Sequence, residues 1–172
     1  AGLAWQLMRK LVPDVPPLSP FSPEVMRWRL LDLFRSEAFQ TDPEYENVRL
    51  KLESYLYSSA SADYQLAGQM ADIFDQYLVY RPDWIDAWQA GKLLGLGDDE
   101  DWQARLWRYL DDGSQSAPHR VALWEKLLAQ LDKSVLPQRL FVFGISTMAP
   151  MYLQLLHQIS KHCDVFVFAL NP

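Results

Sequence analysis

Apolar residues recur along most of the chain at intervals of three and four, and the interruptions fall at proline, serine and glycine. Leu3, Trp5, Leu7, Met8 and Leu11 make a first short helical pattern, which Pro13 and the pair Pro16 and Pro17 stop. Ser22-Pro23-Glu24 predicts the next start, since serine caps free backbone N–H groups and proline fits the first helical position. Val25, Trp28, Leu31 and Phe34 are then expected on one inward face. Asp42-Pro43-Glu44 repeats the signal ahead of Tyr45, Val48, Leu52, Tyr55 and Leu56, and the stretch from Ser58 to Ser61 breaks that pattern. The clearest amphipathic helix begins at Tyr64, with Leu66, Met70, Ile73 and Tyr77 in register and Ala67, Phe74 and Leu78 beside them. Pro82 ends or kinks it. Trp84, Ile85 and Trp88 predict a short helix up to Gly91, and Gly95 to Asp98 a loop. Two further helices follow, one through Trp102, Leu106, Tyr109 and Leu110, closed by Gly113. The other opens at Pro118 with Val121, Trp124, Leu127, Leu128 and Leu131 inward and ends near Lys133.

At Pro137 the period changes. Leu140 to Phe143 and Val165 to Phe168 are short runs rich in aromatic and β-branched residues, and between them Tyr152, Leu155, Leu156 and Ile159 keep a helical spacing. This reads as a β-α-β unit whose strands are parallel and buried on both faces. Two parallel strands do not make an independently stable sheet, so the remaining strands are expected in sequence outside these residues. The start at Ala1-Gly2-Leu3 and the stop at Asn171-Pro172 agree with a piece of a longer polypeptide. The expected fold class is therefore mainly α, a helical part followed by a β-α-β piece of a parallel sheet.

The 172 residues carry a formal charge of -6, which argues against a surface that holds DNA by phosphate neutralisation alone. Any nucleic-acid contact must be local. No apolar run reaches about 18 residues and no charged-then-apolar start is present, so a soluble, cytoplasmic protein without a membrane span is expected. Cys163 is the lone cysteine and supports neither a disulfide nor a thiolate metal site. Seven tryptophans and eight tyrosines imply large buried anchors or flat polar-tipped surfaces.

The chain has no Gly-x-x-x-x-Gly-Lys-Ser/Thr loop to cradle nucleotide phosphates. The first strand runs into Gly144-Ile145-Ser146-Thr147 without the carboxylate that an ATPase needs there to hold Mg²⁺; the Ser and Thr before a helix are weighed as an anion site, and an unoccupied helix start is favoured. His119, His157 and His162 share no metal-ligand spacing, and Ser146 has no assignable His/Asp partner. Asp98-Asp99-Glu100-Asp101 is expected to be a solvated helix start that complements the dipole. On the helix from Tyr64, Asp72, Asp75 and Gln76 fall on one side, opposite the apolar stripe. Carboxylates accept from the cytosine amino group and amides pair with adenine, while Arg81, just past the helix end, suits guanine or phosphate. By residue type alone, such a face is also what ordinary solubility requires.

The run Ala71-Asp72-Ile73-Phe74-Asp75-Gln76-Tyr77-Leu78-Val79-Tyr80-Arg81-Pro82-Asp83-Trp84 closely resembles the signature of RecC proteins, the gamma subunits of bacterial exodeoxyribonuclease V. Three more segments agree in order: Trp5 with Leu11 and Pro13, Pro118-His119-Arg120, and Phe143-Gly144-Ile145-Ser146 through Tyr152-Leu153-Gln154 to Asn171-Pro172. The similarity spans nearly the whole chain apart from loops near 14–22, 57–62 and 92–116. It implies a fold related to superfamily 1 helicases with a decayed ATP site. On that analogy residues 1–136 are the helical inserted subdomain and 137–172 a β-α-β fragment of the inactive motor-like domain. It implies RecB and RecD as partners, single-stranded and forked DNA as ligand, and a non-catalytic part in Chi recognition during DNA repair and recombination, with no cofactor or metal. The family's strand-reading positions carry over onto Asp72, Asp75, Gln76, Arg81, Arg120 and Trp5, with Ile73 where Leu is expected. The competing expectation is a protein–protein scaffold that touches a sister subunit and not DNA.

Overall fold

The computed structural model describes residues 2–56, 58–114, 118–134, 136–145 and 148–169, with the backbone alone at 2–4, 144 and 145. The helices are α1 (Gly2–Leu11), α2 (Pro23–Arg35), α3 (Glu37–Thr41), α4 (Glu46–Leu56), α5 (Ala62–Tyr80), α6 (Pro82–Gln89), α7 (Glu100–Leu110), α8 (Arg120–Gln130) and α9 (Pro150–Ser160). The strands are β1 (Arg139–Ile145) and β2 (Asp164–Ala169), on either side of α9. The mainly helical expectation with a parallel β-α-β unit thus holds. Two compact units form, one of residues 18–119 and one of residues 1–17 with 120–172.

In the first unit, serine and aspartate side chains set the helix starts. Ser22 Oγ accepts the Val25 N–H at 3.5 Å ahead of Pro23, as the start signal predicts. Ser36 does two jobs: its backbone N–H closes α2 on Leu33 O, and its Oγ accepts from Phe39 N–H at 3.0 Å to open α3. Asp42 caps a 3₁₀ turn, Pro43–Tyr45, that leads into α4.

α5 lies along α2, and the buried residues Met26, Leu30 and Phe34 with Leu66, Ala67, Met70, Ala71, Phe74 and Leu78 make this part of the core. Gly68 leaves room for the Arg27 side chain, since a Cβ there would stand 2.9 Å from Arg27 Nε. Two aromatic residues depart from the expected inward stripes. Trp28 is 56% exposed, with its ring centroid 5.8 Å from that of Tyr64, because the helix turns Met26, Leu30 and Leu33 inward instead. Tyr55 is exposed as well, and α4 buries only Val48, Leu52 and Leu56.

The acidic run before α7 is not uniformly solvated. Glu100 is 6% exposed, and its carboxylate turns back to accept four hydrogen bonds. Oε1 takes Trp88 Nε1–H at 2.9 Å and Leu94 N–H at 2.5 Å; Oε2 takes Gly95 and Leu96 N–H at 2.8 Å each. Asp98 and Asp99 are exposed, as expected of a helix start. Asp99 also accepts from Trp102 Nε1 and pairs with Lys51 at 3.3 Å. Ahead of this loop α6 ends at Gln89, and Gly91, two residues on, takes a φ of +73°, the left-handed conformation that lets Lys92 N–H reach Ala87 O at 2.8 Å.

In the second unit α1 packs on α8, and Trp124 of α8 meets Tyr152 of α9 edge-on at 6.4 Å. β1 and β2 pair in parallel with Phe141 opposite Phe166 and Phe143 opposite Phe168, and their rings stack at 5.1 and 4.7 Å. Burial on both faces is not what these strands show, since all four phenylalanines are exposed. Among the described residues α9 packs against β2, and it buries Met151, Leu155 and Ile159.

Phe74 is fully buried between Tyr77 and Trp107, so Phe74→Ala is expected to cost about 3–5 kcal/mol of stability in urea unfolding. Burial alone would raise the pKa of Glu100, but the Leu94, Leu96 and Gly95 N–H groups and the Trp88 indole outweigh it and hold the carboxyl at about 2 instead of its ordinary 4.5. A depressed folded pKa means the stabilisation is complete above pH 4.5 and lost as pH falls toward 2. The indole N–H resonance of Trp88 should track that loss, and Glu100→Gln should remove the acid dependence while lowering the melting temperature at neutral pH.

Candidate nucleic-acid interface

Successive residues of an α-helix are turned by roughly 100°, which puts Asp75, Asp72 and Gln76 in that angular order within about 100° of arc. Asp72 and Gln76 are exposed and Asp75 is half-buried, with an interaction partner of its own. Ile73 lies beyond Gln76 toward the core and is half-buried, which makes it the apolar flank of this face. The expectation that all three polar residues point away from the apolar stripe therefore holds fully for Asp72 and Gln76, and partly for Asp75.

Arg81 stands at an elbow that proline imposes. The residue before a proline is driven out of the helical region, so α5 stops at Tyr80 and Pro82 becomes the first residue of α6. Arg81 takes φ -136° and ψ 54°, its N–H closes α5 on Tyr77 O at 2.9 Å, and its carbonyl accepts from Trp84 N–H at 3.1 Å. The exposed guanidinium lies 5.3 Å from the centre of the Trp84 ring. That ring is itself held, with Tyr77 at 5.2 Å and Trp88 at 6.0 Å, and Tyr77 Oη is fixed by Gln103 Oε1 at 2.9 Å. Burial pushes the Tyr77 hydroxyl above its ordinary pKa, so it stays a donor. A cation on an aromatic shelf keeps its N–H groups available for a carbonyl, a purine edge or a phosphate.

Trp5 and Arg120 belong to the other unit. Trp5 is half-buried and donates its Nε1–H to Pro17 O at 3.2 Å, which ties α1 to the proline segment after it. Arg120 opens α8, half-buried and with a partner. His119 is buried against Phe21 and Trp107, with Nε2 2.8 Å from Gln89 Oε1, so it serves the core of its unit. Of the weighed anion site at the end of β1, Ser146 and Thr147 lie outside the described residues, as do Asn171 and Pro172 of the signature match. Among the described residues no cluster of His, Cys, Asp and Glu could hold a metal ion, and no helix is long and apolar enough to cross a membrane.

A second surface group has a chemistry that the periodic pattern hid. Exposed Trp28 meets Tyr64, whose ring also carries the Arg27 guanidinium at 5.4 Å and whose hydroxyl accepts from Arg27 Nη1 at 3.3 Å. Aromatic faces next to a guanidinium are the groups that stack on unpaired bases. Its signal in the sequence was the alternation Arg27-Trp28-Arg29, which suits an outward ring better than a core one.

A family model described as RecC, N-terminal domain matches residues 1–172. The chain is 35% identical over its whole length to the RecBCD enzyme subunit RecC of Escherichia coli, of which it covers 16%. It is likewise 35% identical over its whole length to the RecBCD enzyme subunit RecC of Haemophilus influenzae, covering 18%, and 29% identical to that of Mycobacterium tuberculosis, covering 16%. The chain therefore spans less than a fifth of the length of these relatives.

Proposed function

Since the chain belongs to the RecC N-terminal domain family, we propose that it works as the non-catalytic, DNA-guiding part of a RecBCD-type helicase-nuclease, reading an unpaired strand for Chi beside sister subunits of the RecB and RecD kind. The observation that carries this reading is the exposure of Asp72 and Gln76 on α5 together with an arginine at the end of that helix, set on the Trp84 ring. Carboxylate, amide and guanidinium are the groups that tell base edges apart, and their modest net charge limits the tight phosphate grip that would stall a moving strand. Asp75 and Ile73 complete that face, and the resemblance separately makes Trp5 and Arg120 strand-contacting residues. Residues 1–136 act in this scheme as the helical insertion of a helicase-like motor domain without ATPase chemistry, and residues 137–172 as its return into the motor sheet, in the cytoplasm where the chromosome lies.

The test is substitution in the intact enzyme complex. Asp72→Ala and Arg81→Ala should each cost about 1–3 kcal/mol of base discrimination, read as a lost or altered response to Chi. ATP hydrolysis and unwinding should stay near wild type. A photoreactive strand threaded through the assembly should label the 72–81 window; no labelling there together with an unchanged Chi response would overturn the reading.

A further inference from the structure

The loop between α6 and α7 exposes leucines without need. Leu93, Leu94 and Leu96 are 51%, 47% and 45% exposed, three within four residues. Isolated surface leucines are ordinary, but a contiguous apolar cluster at a loop tip marks an interaction site. The loop is also built from inside. The Glu100 carboxylate gathers the N–H groups of Leu94, Gly95 and Leu96, and the Trp88 indole holds the same carboxylate from below. Gly95, at φ +78°, supplies the turn that lets consecutive N–H groups converge on one anion. With the backbone donors drawn inward to Glu100, the leucine side chains are held outward.

We propose that Leu93, Leu94 and Leu96 form a preorganised apolar plug that docks into a recess on a separate polypeptide of the assembly, a recess rimmed by lysine or arginine. The proposal rests on the reading above only in taking the chain to work as one subunit among several. Leucine offers nucleic acid neither a stacking face nor a hydrogen bond, and exposed Asp98 and Asp101 follow the leucines and repel phosphate. The same carboxylates complement a basic rim on a protein. A loop already fixed by an internal carboxylate loses little freedom on association, which favours a partner that arrives from outside over a segment of its own chain that could fold around it.

The experiment uses the full-length polypeptide alone and in its assembled complex. A thiol introduced by Leu94→Cys should be alkylated rapidly in the lone polypeptide and protected once the sister subunits are bound. Leu94→Asp with Leu96→Asp should leave the melting of the lone polypeptide unchanged and weaken assembly on the order of a hundredfold. Protection already in the lone polypeptide would assign the plug to its own chain, and protection only on adding DNA would assign it to the strand; either outcome overturns the proposal, as does equal reactivity in both states. If the double variant does not fold, the alkylation comparison decides by itself. An unaltered Chi response in the Asp72 and Arg81 variants would remove the strand-reading proposal and leave these outcomes as they stand.

Discussion

The burial of one side of α5 against α2 fixes what the rest of the helical unit presents. Leu66, Ala67, Met70, Phe74 and Leu78 can leave water only if the helix is held at one rotation, and the buried Met26, Leu30 and Phe34 of α2 hold it there. Asp72 and Gln76 then have no freedom to face elsewhere. A turn of the helix by one residue would bury a carboxylate and expose Phe74, and either change alone costs more than a single mutation usually does. The candidate face is therefore a by-product of core packing, and its precision comes from the apolar side.

This is also why that face was legible in the sequence while others were not. A long helix with a full apolar stripe has one solution, so the side carrying Asp72 and Gln76 could be read from spacing. α2 has two competing stripes, and choosing the one through Trp28 put an exposed tryptophan inside; only the partner helix decides between Val25 with Trp28 and Met26 with Leu30. The change at Pro137 from helical to strand period was plain. The exposure of Phe141, Phe143, Phe166 and Phe168 was not, because an apolar strand run shows its period and not what packs on it. The resemblance supplied candidate roles that spacing could never give for Trp5 and Arg120.

Glu100 shows the opposite failure. In sequence it is one of four consecutive acids and reads as solvent-facing charge. In the structure it is a buried acceptor with four donors, distinguished from its neighbours only by the glycine-containing turn five residues upstream and by Trp88 on the preceding helix. Charge runs cannot be interpreted residue by residue until it is known which backbone donors lack partners. A loop of exposed N–H groups just before an acidic helix start is the pattern that would have singled it out.

Within residues 18–119 the 18 acids outnumber the nine bases, a formal charge of -9, so bulk attraction to a polyanion is absent there. Part of the acid is engaged at short range: Asp63 with Arg35, Asp99 with Lys51, Glu44 with Arg105, Asp112 with Arg29, and Glu100 with backbone and indole donors. The Arg35 hydrogen bond draws the Asp63 pKa down, and those of Trp102 and Lys51 do the same for Asp99. Paired charges project weak fields beyond a few ångströms, and salt at cellular strength shortens that reach further. On the proposed reading a passing strand would meet Asp72, Gln76, Arg81 and the Trp28 and Tyr64 rings amid further exposed acids such as Glu24, Asp32 and Asp83. On the same reading, a surface of that kind would meet a strand by stacking and directional hydrogen bonds more than by bulk attraction.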